Sequence, residues 1–132
     1  MTGPLDGMRV IDAATWIAGP AAAGLMADMG ADVIKVETPN GDSYRSNLRT
    51  NYPDAVVQGG WENDNRGKRG IALDLDRLSG REVLLRLCTT ADVLITNFTV
   101  ERAERYDLTP DAVLAQNPHI VHTIVTGYGT RG

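Results

Sequence analysis

The sequence predicts an open α/β fold with a parallel sheet, and three observations lead there. Short apolar runs rich in β-branched residues recur along the chain, at Met8–Asp12, Asp32–Glu37, Ile71–Leu75, Asp92–Thr96 and His119–Thr126. Helix-forming segments lie between most of them. The stretch Arg9–Glu37, RVIDAATWIAGPAAAGLMADMGADVIKVE, also reads as one strand–turn–helix–strand unit. Parallel neighbours need such crossovers, and these are right-handed. A Rossmann-like open parallel sheet with flanking helices is the natural architecture.

Met8–Asp12 fits a buried parallel strand. Pro20 suits the first helical position, where a missing N–H costs nothing. The helix from there to about Met29 is mostly Ala, Leu and Met, and Gly30 is placed to end it at C′. Asp32–Glu37 (DVIKVE) is the second strand. From Thr38 to Gly70 the chain carries several Pro and Gly residues, many Asn and Asp, and no sustained period. It therefore reads as one long functional or mobile loop, at about 38–70, within a single domain over 1–132. Ile71–Leu75 is the third strand. A helix follows from about Ser79 to Thr89, with Val83, Leu84, Leu87 and Cys88 as its apolar stripe and Glu82 and Arg86 placed to pair at i, i+4. Asp92–Thr96 is the fourth strand, Val100–Tyr106 and Pro110–Gln116 are short helices, and His119–Thr126 is the fifth strand. The chain has no internal repeats.

Composition narrows the function classes. The 132 residues suffice for one domain, and 42% of them are apolar. The net charge of −4 is uneven: residues 1–65 carry four basic and nine acidic residues, residues 66–132 nine basic and eight acidic. That is not the broad basic surface of a nucleic-acid binder. The uncharged run Ala13–Ala27 is too short to span a bilayer and is interrupted by Gly and Pro. The N-terminus lacks the basic-then-apolar pattern of a signal peptide. With one cysteine, Cys88, no internal disulfide can form. A soluble cytoplasmic protein, without membrane or nucleic-acid partners, is the expectation.

The functional turn lies between Asp12 and Pro20, at the carboxyl end of the first strand, where open α/β sheets bind ligands. It lacks the G-x-G-x-x-G of a dinucleotide fold. Gly19 and Gly24 have the spacing of a P-loop, but Leu25 stands where Lys is required. Glu37 ends the second strand, where a ribose-binding acid can sit, although a solvated surface role is the plainer reading of a strand-end carboxylate. The run Asn65-Arg66-Gly67-Lys68-Arg69 could meet phosphates by charge and by backbone N–H groups; it could equally be a solvated loop capping Glu62 and Asp64. Asn97-Phe98 follows the fourth strand directly and so shares a rim with Trp16. There the pair could receive an amide or purine, or serve as a helix cap and a core plug. Arg105 could reach the same rim from the next helix. His119 and His122 alternate across a strand and cannot form a metal pair, so no metal is assigned. Cys88 reads as a core thiol.

The motifs in order resemble the N-terminal part of the class III coenzyme A transferases, a family that also includes the α-methylacyl-CoA racemases. The matching blocks are PLDGMRVIDAA (Pro4–Ala14), AGP (Ala18–Pro20), LMADMGADVIKVETP (Leu25–Pro39), GD (Gly41-Asp42), NRGKRGIALDL (Asn65–Leu75), ADVLITNF (Ala91–Phe98), NP (Asn117-Pro118) and GYG (Gly127–Gly129). The resemblance implies that this Rossmann-like half of a larger domain holds CoA, as a substrate. Carried over by position, Trp16, Ile17 and Ala18 would line the CoA and acyl site, and Thr38 would lie near the nucleotide. Lys68 and Arg69 would approach phosphates, and Asn97, Phe98 and Arg105 would contact CoA. The chain departs from the family at Thr99-Val100-Glu101, where Arg-Pro-Gly is common, which replaces a cation by a carboxylate. Trp16 is also bulkier than its usual counterparts and narrows the acyl pocket. Members are much longer, and the family's catalytic aspartate lies downstream of the matched region. The implied parent therefore moves CoA from an acyl-CoA to a carboxylic acid through an aspartyl-CoA intermediate on a residue absent here, and forms an interlocked homodimer. A racemase of the same fold, or a non-catalytic nucleotide-binding module, are the alternatives.

Overall fold

The computed structural model describes residues 3–129. Five parallel strands form one sheet in the order β3-β2-β1-β4-β5. They are β1 (Arg9–Asp12), β2 (Asp32–Glu37), β3 (Arg69–Ala72), β4 (Val93–Thr96) and β5 (Val121–Ile124). The helices are α1 (Ala18–Asp28), α2 (Ser43–Asn51), α3 (Gly59–Asn65), α4 (Leu78–Cys88), α5 (Val100–Arg105) and α6 (Pro110–Gln116). The chain winds outward from β1 in one direction through β2 and β3, then returns to β1's other side for β4 and β5. The direction therefore reverses between β1 and β4, and such a reversal opens a crevice at the carboxyl ends of the two strands.

Strand alternation divides the core. Ile11, Ile34 and Leu94 point to one face, where they pack with Leu84, Cys88, Leu108 and Val113. Val10, Val33 and Ile95 point to the other, against Ala14 and Ala23 of the β1–α1 segment. Both faces are covered, which is why consecutive residues of the central strands are apolar rather than alternating, Lys35 in β2 excepted. Gly24 lets α1 lie close to α3, because a Cβ there would sit 2.9 Å from the Asp64 carbonyl oxygen.

The predicted elements hold, with instructive shifts. Pro20 is the third residue of α1, not the first, yet still lies in the turn whose N–H groups lack intrahelical partners. Gly30 follows the helix with φ at +101°. The expected loop at 38–70 is corrected: it contains α2 and α3. α2 buries none of its residues, so no apolar period betrays it, and Asp42 starts it by accepting from the Tyr44 N–H at 2.8 Å. β3 begins two residues earlier than the apolar run suggests, with Arg69 and Gly70 exposed on the sheet edge. Glu82 and Arg86 form no ion pair among the described residues; Arg81 instead approaches Asp107 at 3.8 Å. No helix among the described residues is long and apolar enough to cross a membrane.

Cys88 is fully buried, and burial pushes its thiol up from 9.0 to about 11. The native state thus keeps a proton that the unfolded chain has lost, so stability is full below pH 9.0 and falls as pH rises toward about 11. Urea midpoints measured across that range should decline, and Cys88→Ala should flatten the slope. Thiol alkylation at neutral pH should require prior unfolding.

Candidate functional site

The β1–α1 turn sits at the β1/β4 crevice, and almost every polar backbone group in it is tied down. Asp12 accepts from the Ala14 N–H at 3.2 Å, and the Lys35 ammonium donates to the Ala14 carbonyl. The Asn97 side chain clamps Thr15 from both sides: its Oδ1 accepts from Thr15 N at 3.0 Å and its Nδ2 donates to Thr15 O at 3.0 Å. Asp42 Oδ1 accepts from Trp16 N at 3.4 Å. Trp16 itself has φ at +68°. A non-glycine residue held there costs on the order of 1–3 kcal/mol and persists only where its surroundings impose it. The bonds to Ala14, Thr15 and Trp16 are that imposition. The result is a rigid ledge from which Trp16 and Ile17 project, 45% and 51% exposed.

Beneath the ledge lies a buried set of four charges. Asp12, Lys35 and Asp42 are at most 2% exposed, and the Lys68 side chain 1%. Lys68 Nζ donates to Asp12 Oδ2 at 2.8 Å, to the Pro20 carbonyl at 2.7 Å and to Asn65 Oδ1 at 2.9 Å. All three of its protons are thereby used. Burial lowers the Lys68 pKa, against the opposing pull of Asp12. Lys35 Nζ lies 3.6 Å from Asp12 and 3.1 Å from Asp42 Oδ2. That last contact lacks hydrogen-bond geometry, so charge alone joins the pair. Two carboxylates and two ammonium groups balance, as a buried ionic cluster must.

The candidates read from sequence divide into three groups. Trp16, Ile17, Ala18, Asn97 and Phe98 meet at the switch point. Asn97, however, spends its amide on Thr15, and Phe98 packs edge-on against Tyr106 at 5.6 Å between ring centroids. Thr38 follows β2 and Arg105 ends α5, both beside the rim: Thr38 donates to the Gly41 carbonyl at 2.9 Å, and Arg105 reaches Asp76 at 2.6 Å. Lys68 and Arg69 are not placed to meet a ligand at the rim. Neighbouring residues on an extended chain face opposite ways. Lys68 therefore turns inward to Asp12, while Arg69 turns outward at the amino-terminal end of the sheet and forks onto Asp32 at 2.7 and 2.8 Å. Hydrogen bonding from Arg69 holds the Asp32 carboxyl below its ordinary value. Arg66 pairs separately with Asp28. The cationic run is thus three separate ion pairs. His122 meets Thr96 Oγ1 at 3.1 Å; His119, expected on the fifth strand, is exposed in the turn before β5, which runs only from Val121 to Ile124. Among the described residues no group of three or more His, Cys, Asp or Glu could hold a metal.

Two hollows open on this rim. The larger, about 940 Å³, is lined by Phe98, Val100, Pro110, Ile124, Val125 and Tyr128 among others, with Glu101 and Glu104 at its edge. It is mainly apolar and rimmed by negative charge, which suits an uncharged or apolar group. The smaller, about 330 Å³, lies beyond β2 and β3 and is lined by Thr38, Asn40, Arg45, Ser46 and Arg49. Arg45 is committed to Glu37 through two bonds of 2.9 and 3.0 Å and stacks 3.3 Å over Trp61. Arg49 has no carboxylate within 4.0 Å among the described residues, so its cation faces the hollow uncompensated. The sequence alone gives Asp42, Arg45 and Arg49 no role, because 38–70 shows no apolar period; the Asp42 helix cap is the available signal.

Comparisons with known proteins bear on the family and the fold. The family described as CoA-transferase family III matches residues 5–132. The chain is 39% identical, over 96% of its length, to the succinyl-CoA:mesaconate CoA-transferase of Haloarcula hispanica, and spans 33% of that protein. It is 40% identical to the succinate–glutarate CoA-transferase of Agrobacterium fabrum, covering 98% of this chain and 34% of the relative. It thus spans about a third of the length of these curated relatives. In structure it resembles a CaiB/BaiF family protein from Brucella suis, with a TM-score of 0.87 and 38% identity, over all of this chain and 35% of that one. On sequence and fold together, the chain belongs to CoA-transferase family III.

Proposed function

We propose that this chain is the coenzyme A-holding part of a cytoplasmic, homodimeric enzyme that moves CoA from an acyl-CoA donor to a carboxylic acid. The observation that carries the reading is the tied turn Ala14–Trp16 at the β1/β4 crevice, in a chain of this family. A ligand seated there meets a surface that needs no reordering on binding, which lowers the entropic cost of association. Trp16, Ile17 and Ala18 form one wall. The apolar hollow beside Phe98 takes the uncharged arm of the coenzyme, and the hollow of Thr38 and Arg49 takes phosphate, with Arg105 at the margin.

The reacting carboxylate is an aspartate outside this chain. It attacks the acyl-CoA carbonyl and expels CoA thiolate, leaving a mixed anhydride. The thiolate then attacks the aspartyl carbonyl to give an enzyme thioester and the free acid. The acceptor acid enters by the reverse steps. Covalent catalysis of this kind splits one difficult transfer into easier ones. The residues described here bind and orient.

Titration calorimetry of CoA into the complete protein tests the reading. Arg49→Ala and Arg105→Ala should each weaken binding about tenfold, the scale of a lost charge-assisted contact. Equal affinities in variants and wild type would remove both arginines from the site, and no affinity in the wild type would sink the reading. Wash-in of deuterium at the carbon next to the acyl carbonyl would instead mark a racemase.

A further inference from the structure

We propose that Asp42 is a positioning residue that couples α2 to the coenzyme-facing turn; the inference rests on the reading given under Proposed function. Asp42 stands 26 residues beyond Trp16 in the chain, yet its Oδ1 accepts from the Trp16 N–H at 3.4 Å and from the Tyr44 N–H at 2.8 Å. One oxygen thus fixes both the left-handed residue of the turn and the first turn of α2. The carboxylate is 2% exposed. Its own N–H donates to Glu37 Oε2 at 2.9 Å, and Lys35 holds its other oxygen at 3.1 Å. The Tyr44 ring continues the link, lying 5.9 Å from the Trp16 ring. Arg45, the next residue of α2, bonds Glu37 and covers Trp61.

The arrangement has a direction. The Asp12 and Lys35 contacts stop at Ala14, and the Asn97 clamp stops at Thr15. Asp42 alone among these holds Trp16, the first residue that faces out. α2 buries none of its own residues against the core. Its seat is therefore set by Asp42, Tyr44 and Arg45, and a shift of α2 pulls on the Trp16 backbone through one carboxylate oxygen. Arg49, four residues further along the same helix than Arg45, faces the smaller hollow. An anion bound there would steady α2 and, through Asp42, the turn. The coupling links the smaller hollow to the Trp16 wall: an anion bound in the hollow orders the turn, and a ligand seated on the turn favours the anion.

The test uses the complete protein in a Trp61→Phe background, which leaves Trp16 as the reporting tryptophan of this segment. Steady-state anisotropy of Trp16 should fall in Asp42→Ala, and the dissociation constant for CoA should rise at least tenfold with a cooperative melt retained. Asp42→Asn keeps the accepting oxygen but removes the charge opposite Lys35, so it should recover most of the anisotropy and only part of the affinity. Inorganic pyrophosphate should raise Trp16 anisotropy in the parent background but not in Asp42→Ala. Unchanged anisotropy in Asp42→Ala, or a CoA affinity that tracks only the folded fraction, overturns the inference. Lost anisotropy in a protein whose parent does not bind CoA supports the coupling and overturns the functional reading instead.

Discussion

Replacing Lys68 by methionine is expected to cost the fold about 3–5 kcal/mol, the usual loss when one partner of a buried ion pair is removed. That is a large fraction of a typical domain's stability. The reason is the company Lys68 keeps. It neutralises Asp12, holds the first turn of α1 through the Pro20 carbonyl and fastens α3 through Asn65. Without it, Asp12 shares the single cation Lys35 with Asp42, and one buried carboxylate is left uncompensated. A direct phosphate role would give the opposite pattern, with weaker CoA binding and an unchanged urea midpoint. The double variant Lys68→Met, Asp12→Asn restores charge balance, since Lys35 and Asp42 then pair alone. Its loss should be smaller than the sum of the single losses by more than about 0.5 kcal/mol, the level at which neighbouring sites are coupled. Additive losses would mean that Lys68 acts by packing, not by charge.

Much of the fold was legible because its signals are local. Asp32–Glu37 and Pro110–Gln116 are read to the residue: the first is a β-branched run, interrupted only by Lys35 and bounded by Asp32 and Glu37, and the second is bounded by Thr109, which caps through Ala112 N, and Asn117. The parallel sense of the sheet follows from repeated crossovers, whereas the reversal of direction at β1 has no local signal. The helices α2 and α3 were not legible, because SYRSNLRTN has no apolar stripe and α3 begins with two glycines. Their stability comes from contacts made at a distance in sequence, such as Arg45 over Trp61. The site was legible as a place but not as chemistry. Asn97 and Trp16 do meet at the rim, yet the Asn97 amide is spent on Thr15, and only Trp16 faces out. Three adjacent cations look like a phosphate patch until strand alternation sends Lys68 inward and Arg69 outward, each to an aspartate far off in sequence.

Asn97→Asp should separate a ligand contact from a scaffold contact more sharply than any other change at the rim. The substitution keeps shape and keeps the acceptor for Thr15 N, but it removes the donor to Thr15 O. A carboxylate oxygen then faces a carbonyl oxygen across 3.0 Å. The unpaired carbonyl and the repulsion should cost about 1–3 kcal/mol. Thr15 spans the ends of β1 and β4, so that cost falls on the crevice itself. Three measurements should move together: a lower urea midpoint, faster hydrogen exchange at the Thr15 amide, and CoA binding weakened about tenfold. Asn97→Ala, which loses both bonds, should move all three further. If Asn97 instead touches the coenzyme directly, the aspartate would weaken binding by charge repulsion while exchange at Thr15 stays slow. The amide proton of Thr15 therefore decides which end of the Asn97 side chain matters, because it lies on the protein side of the wall and no ligand reaches it without first displacing Asn97.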